Sequence, residues 1–380
     1  MIDHARRCLA AHQIPSRPAY AATGPRLMVW ALELPAAAMA RALRLQTAME
    51  AALDVEGVAL RQRGRLLLVE VPRARGQTVD LEAIGPALGV TATGKRVAIS
   101  LDRTRPHAIV AGMTGSGKSE LLRTLALIES RRADTDLVLI DLKGGAFAEL
   151  AERGHHVATD GPGALAALGW AAARIGRPGD GRRVAIIVDE AAHLSAPACA
   201  AARDIAERGR AAGLRLVLAT QYIRADVLDR RVTTAAAWRI CGRVFDGQAS
   251  RLVIGQLGAE RLTGAGDMLL SVGGAPATRF QAALAGPGVW RYARTVEPLE
   301  IEPGTDKDSL SVAGEGGDMV AWATATGASA RQIRMRFGIG QDKARAIRDR
   351  AAGMTDQSGE AQGVIRPDWA TLRSVSQGAG

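Results

Sequence analysis

The chain has 380 residues, 47% hydrophobic and 23% charged, a composition that excludes disordered and fibrous classes and leaves room for two or three globular domains. A formal charge of +10 and a pI near 10.3 point either to a polyanionic partner, nucleic acid first, or to the Arg-rich coding habit of a GC-rich genome. Cys8, Cys199 and Cys241 are few, odd in number and without zinc-ligand spacing, which fits a reduced, cytoplasmic setting.

Residues 1 to about 20 contain Pro15 and Pro18 and are expected to fray, with no signal-type apolar core. The apolar stretch Leu27 to Ala40 is broken by Glu33 and Pro35, so no integral membrane segment is expected. Strand-like runs at Leu27 to Leu34 and Leu66 to Val71 enclose a helical pattern from Pro35 to Leu53, so residues 1–92 are expected to form a small N-terminal α/β region.

From 93 to 296 the pattern alternates strand and helix. The runs Ala108 to Ala111, Leu137 to Ile140, Val184 to Val188 and Leu214 to Ala219 lack period-two alternation, as strands covered on both faces do. The expected fold is α/β with a parallel, doubly wound sheet. The first run leads into Gly112-Met113-Thr114-Gly115-Ser116-Gly117-Lys118-Ser119-Glu120. This is a phosphate-binding loop, and the helix after it carries Leu121, Leu122, Leu125 and Ile128 on one face. Backbone N–H groups of residues 115 to 119 would gather at a helix N-terminus where an anion is favoured. Lys118 is the candidate contact to the β and γ phosphates of ATP, and Ser119 the candidate Mg²⁺ ligand.

The run Val184 to Val188 ends in Asp189 and Glu190. Asp189 is expected in the Mg²⁺ shell, and Glu190 to polarise the attacking water. A third strand ends in Thr220-Gln221, where Gln221 is suited to sensing the γ-phosphate. Between these two strands, Arg208 and Arg210 close a helix. They serve either as guanidiniums for a neighbouring subunit's phosphates or only as cations complementing the helix dipole.

Glu297 to Gly317 is rich in acids, Pro and Gly and is expected to be a linker (297–317). Residues 318–352 form a candidate helix-turn-helix or winged-helix module, with 353–380 a tail. Ser329-Ala330-Arg331-Gln332 has capping-box form, Gly338-Ile339-Gly340 supplies a turn, and Ala344, Ile347 and Ala351 mark a core face. Gln341, Arg345 and Arg348 would then face a major groove, with Arg331, Arg334 and Lys343 on phosphates. A bare Arg-rich hairpin is the alternative.

With these residues in place, the chain resembles the FtsK/SpoIIIE family of double-stranded DNA translocases. The similarity spans most of residues 25 to 285 and rests on GMTGSGKSE at 112–120, DLKGG at 141–145, GRAAGL at 209–214 with ATQ at 219–221, and GAERL at 258–262 with GAGDML at 264–269. The resemblance implies a RecA-like P-loop motor core, ATP and Mg²⁺ as cofactors, Arg210 as a finger acting across a subunit interface, Gln221 as sensor, and a homo-hexameric ring around duplex DNA. The stretch from Asp141 to Asp189 is short for the family, and Tyr222-Ile223-Arg224 replaces its common Arg-Pro. The family's membrane region is missing, which favours a motor for plasmid, phage or integrative-element DNA. A nucleotide-switched DNA-binding regulator or partition protein, and a secretion-type ATPase, are the alternative functions.

Overall fold

The computed structural model describes residues 1–177, 181–223 and 230–299, with 301, 329, 345 and 347–349 beyond them. The chain divides into two compact units, Met1–Pro303 and Gly304–Gly380.

The first unit begins with α1 (Ile2–Ala11), β1 (Arg17–Thr23), β2 (Leu27–Glu33), α2 (Ala36–Ala42), α3 (Gln46–Leu53), β3 (Ala59–Arg63) and β4 (Leu66–Pro72). The four strands form an antiparallel sheet in the order β1-β2-β4-β3. Its helix-facing side buries Trp30, Leu32, Leu67, Val69 and Val71 against Leu9, Met39 and Met49.

The N-terminus does not fray: Ala5 and Leu9, one helical turn apart, are both fully buried, and that burial orders α1 despite its polar exterior. The single helix expected over 35–53 is two, because Arg44 N and Leu45 N turn back onto carbonyls three residues earlier, at Arg41 and Ala42. The tightened turn lets both Leu43 and Leu45 pack on the core.

The larger part runs β5 (Val79–Asp80), α4 (Leu81–Ile84), β6 (Gly89–Val90), β7 (Arg96–Val97), β8 (His107–Ala111), α5 (Lys118–Ser130), β9 (Thr135–Asp141), α6 (Ala148–Ala151), β10 (His156–Ala158), α7 (Gly161–Ala172), β11 (Arg183–Asp189), α8 (Ala196–Arg208), β12 (Leu214–Thr220), α9 (Arg230–Ala235), β13 (Trp238–Cys241), α10 (Gly247–Ile254), β14 (Asp267–Val272) and β15 (Thr278–Leu284). Its sheet has the order β10-β9-β11-β12-β8-β13-β14-β15-β6-β7, with β5 beside β15. The chain therefore joins this sheet from residue 79 onward, ahead of the expected boundary at 92.

The block β10 to β13 is parallel, as the unalternating apolar runs require. Along β8, Ala108 and Val110 enter one core with Leu121, Leu122 and Leu125 of α5, while Ile109 and Ala111 enter the other with α7 and α8. Helices thus cover both faces, and each buried Leu of α5 contributes about 2 kcal/mol. The sheet is nevertheless not wholly parallel: β14 and β15 pair antiparallel, as do β13 with β14 and β15 with β6. The β14–β15 connection passes through Gly273 and Gly274, both at positive φ (58° and 81°). So short a link can only reverse the chain, because a parallel return needs a crossover of a dozen residues.

Candidate functional site

Parallel strands point their carboxyl ends the same way, so the segments after β8, β9, β11, β12 and β13 meet at one edge. The phosphate loop leaves β8 there and α5 starts at Lys118. The N-cap residue, Gly117 (φ 92°), gives no side-chain cap, leaving the helix N-terminus facing the loop's concavity. Gly112 N donates to Thr220 O at 3.2 Å and Met113 N to Arg243 O at 2.9 Å, fixing the loop between the ends of β12 and β13.

Lys118, Ser119, Asp189, Glu190 and Gln221 come together at this end. Asp189 is 1% exposed; one carboxylate oxygen pairs with Lys118 Nζ, and the other accepts from Ser119 Oγ at 2.9 Å. Ser119 and Asp189 give the oxygen donors that a hard cation such as Mg²⁺ takes when phosphate and water complete its shell. Among the described residues no cluster of three His, Cys, Asp or Glu could hold a metal by protein ligands alone.

Glu190 is fully buried in the left-handed region at φ 73°, the kind of strained conformation that persists at functional positions. Its Oε1 accepts from Thr220 Oγ1 at 2.9 Å and from Gln221 N at 3.1 Å, and its Oε2 from Lys143 Nζ at 3.0 Å. Gln221 Oε1 in turn accepts from Thr114 Oγ1 at 2.6 Å. A hydrogen-bonded chain therefore runs from the phosphate loop through Gln221 to Glu190 and Lys143.

Lys143 had no role in the sequence reading beyond its place in the DLKGG block. Its role depends on strand order: β9 lies next to β11, with Asp141 level with Asp189. Asp141 accepts from Gly144 N at 3.0 Å and Ala146 N at 2.7 Å. It shapes the turn that aims Lys143 at Glu190, and so its own oxygens are already engaged. Glu120 turns away from the loop toward Arg123 at 3.8 Å, while Arg123 also holds Glu149 at 2.7 Å.

Arg210 lies elsewhere. It is exposed in the turn before β12, whereas Gln221 follows that strand. Seven residues of β12 at about 3.3 Å each place them roughly 20 Å apart, so Arg210 cannot serve the site of its own chain. Of the C-terminal candidates, Arg331, Arg334, Gln341 and Lys343 lie outside the described residues. Arg345 and Arg348 are exposed on helical backbone while Ile347 is buried, and Arg348 Nε donates to Asp349 at 2.8 Å.

The doubly covered parallel sheet and its phosphate loop define a P-loop nucleotide-binding core. The FtsK/SpoIIIE family profile matches residues 68–177, a stretch that holds the phosphate loop and the DLKGG block. It is similar to DNA translocase FtsK of Bradyrhizobium diazoefficiens, 30% identical over 77% of this chain and 45% of the relative. It is also similar to DNA translocase SftA of Bacillus subtilis, 30% identical over 53% of this chain and 26% of the relative. The chain thus spans less than half the length of these relatives. Among solved structures, the pCW3 conjugation coupling protein TcpA, in a monomer form with ATPγS, shares the fold at a TM-score of 0.50 and 20% identity, over 75% of this chain and 95% of that one.

Proposed function

We propose that the chain is an ATP hydrolase that drives translocation of double-stranded DNA, in the cytoplasm, as a homo-hexameric ring serving plasmid, phage or integrative-element DNA. The observation that carries this is the hydrogen-bonded chain Thr114–Gln221–Glu190–Lys143. It links the loop that would cradle phosphates to the acid that would orient water and to a cation on a second loop.

When bound, Mg²⁺ neutralises charge on the phosphate oxygens. Lys118 exchanges its partner Asp189 for the phosphates, and Ser119 and Asp189 hold the cation. Glu190, released from one of its three donors, turns its free oxygen to the water. Gln221 gives up Thr114 as the loop fills, and that change passes along β12 into the segment that follows it. The net positive charge would grip duplex phosphates without reading bases, while the candidate module at 318–352 would address the motor to a DNA element. Among the described residues no helix is long and apolar enough to cross a membrane.

Displacement of a third strand from duplex DNA tests the reading. The wild-type chain should strip the strand only with ATP. Glu190→Gln should bind ATP normally yet lose about 100-fold or more in turnover, and all displacement with it. ATP hydrolysis without displacement would favour the nucleotide-switched regulator instead.

A further inference from the structure

Residues Gly264 to Asp267 form an outer brace for the phosphate loop. Ala265 N donates to Gly115 O at 2.9 Å and Gly266 N to Ser116 O at 2.8 Å. The approach is so close that a Cβ at Gly117 would lie 2.6 Å from Gly266 N. The brace therefore sets where the two loop carbonyls sit, and through them the direction of the N–H groups on their far side.

The brace is itself held from the N-terminal sheet. Asp267, 2% exposed, accepts from Arg279 Nε at 2.9 Å and Nη2 at 2.7 Å, a bidentate pair. On the same strand, Gln281 Nε2 donates to Ala265 O at 2.9 Å. The remaining arm of Arg279, Nη1, donates at 3.2 Å to Oε2 of Glu70, which lies on β4 and is 6% exposed. Arg61 on β3 stands 4.0 Å from the other Glu70 oxygen and donates to the carbonyl of Ala277. Within β4, Glu70 alternates with Val69 and Val71, which face the helices, so it projects from the opposite side of its sheet. The cluster is neutral, two guanidiniums against two carboxylates.

Burying four charges gains little stability over apolar side chains of the same size. What the network adds is geometry, because a forked guanidinium with partners on two sheets has one arrangement. From this we infer that Glu70, Arg279 and Asp267 are positioning residues that tie the N-terminal sheet to the phosphate loop, so that the loop keeps its nucleotide-binding shape only while that sheet is docked. The inference rests on the ATP-site reading above. None of the three touches the loop's concavity; they act through the backbone of residues 265 and 266.

The test uses the full chain with Glu70→Gln, which keeps size and loses the charge. KM for ATP should rise about tenfold with kcat nearly unchanged. Arg279→Lys, which keeps the charge but loses the fork, should behave alike. A lowered Tm with KM at the wild-type value would make the cluster merely structural and overturn the inference. Hydrogen exchange of the wild-type chain decides the matter even if both variants fail to fold. ATPγS should slow exchange at residues 264–267 and at 68–71 together, and protection confined to 264–267 would overturn the tie. A wild-type chain that binds no ATPγS would overturn the ATP-site reading itself and the tie with it.

Discussion

The two edges of the large sheet carry charged side chains in comparable number and use them differently. At the carboxyl edge, Lys118, Asp189, Glu190, Lys143 and Gln221 come from different loops and are joined across them. At the amino edge, Arg182 pairs with Asp136 and Arg183 with Asp134, between the starts of neighbouring strands. There too His107 Nδ1 accepts from Leu216 N at 3.1 Å, beside buried Arg215. The cause of the difference is the direction of the helices. Helix α5 presents its N-terminus at the carboxyl edge, where an anion is favoured, while helix C-termini arrive at the amino edge, where cations suffice. Charge content alone therefore does not locate the site; the edge on which a charge falls does.

The comparison breaks most visibly at Lys118. Lys118→Ala should cut ATP affinity or turnover by roughly 1000-fold and lower the Tm as well, because it leaves the buried Asp189 carboxylate without its cation. DNA-stimulated hydrolysis that survives in this variant would remove the carboxyl edge from the chemistry.

Arg210 sharpens the comparison, since it would carry the amino edge of one subunit into the site of another. Arg210→Ala should lose about 100-fold in turnover, and mixing with Lys118→Ala subunits should restore part of it, since some interfaces then hold both intact halves. Mixed rings without recovery would return Arg210 to the role of a helix-end cation.

The last effect, on stability rather than turnover, belongs to the amino edge itself. Burial, with Arg215 nearby, pushes the His107 imidazole down to about 4 from an ordinary 6.5, so the folded state holds it neutral while the unfolded chain takes up a proton. Its contribution is complete above pH 6.5 and disappears as the pH falls toward 4, a loss of about 3 kcal/mol. Urea unfolding between pH 7 and 5 should show most of this slope ahead of the carboxylates. His107→Asn, which keeps an acceptor for Leu216 N, should flatten it; an unchanged slope would assign the effect to other groups.

Much of this was legible from residue order. The runs at Ala108 to Ala111 and Val184 to Val188 lacked alternation because both faces are covered, and the loop from Gly112 to Ser119 announced phosphate by spacing alone. The antiparallel strands β14 and β15 were not legible as such. Their segments were recognised only as a motif block, and their direction is set by the turn at Gly273 and Gly274.

By itself, the sequence determined what depends on neighbours along the chain: the phosphate loop, the acids closing β11, the apolar periods of the buried strands and of α5. Tertiary structure alone decided which distant residues meet. Lys143 reaches Glu190 because β9 lies beside β11, and Glu70 reaches the brace of the phosphate loop because the N-terminal sheet packs against β15. Arg210 stands roughly 20 Å from the site of its own chain for the same kind of reason: a strand separates its two ends by its full length. Local propensity acts over a few residues, whereas strand order and sheet packing are properties of the whole buried core, and no single stretch of sequence contains them.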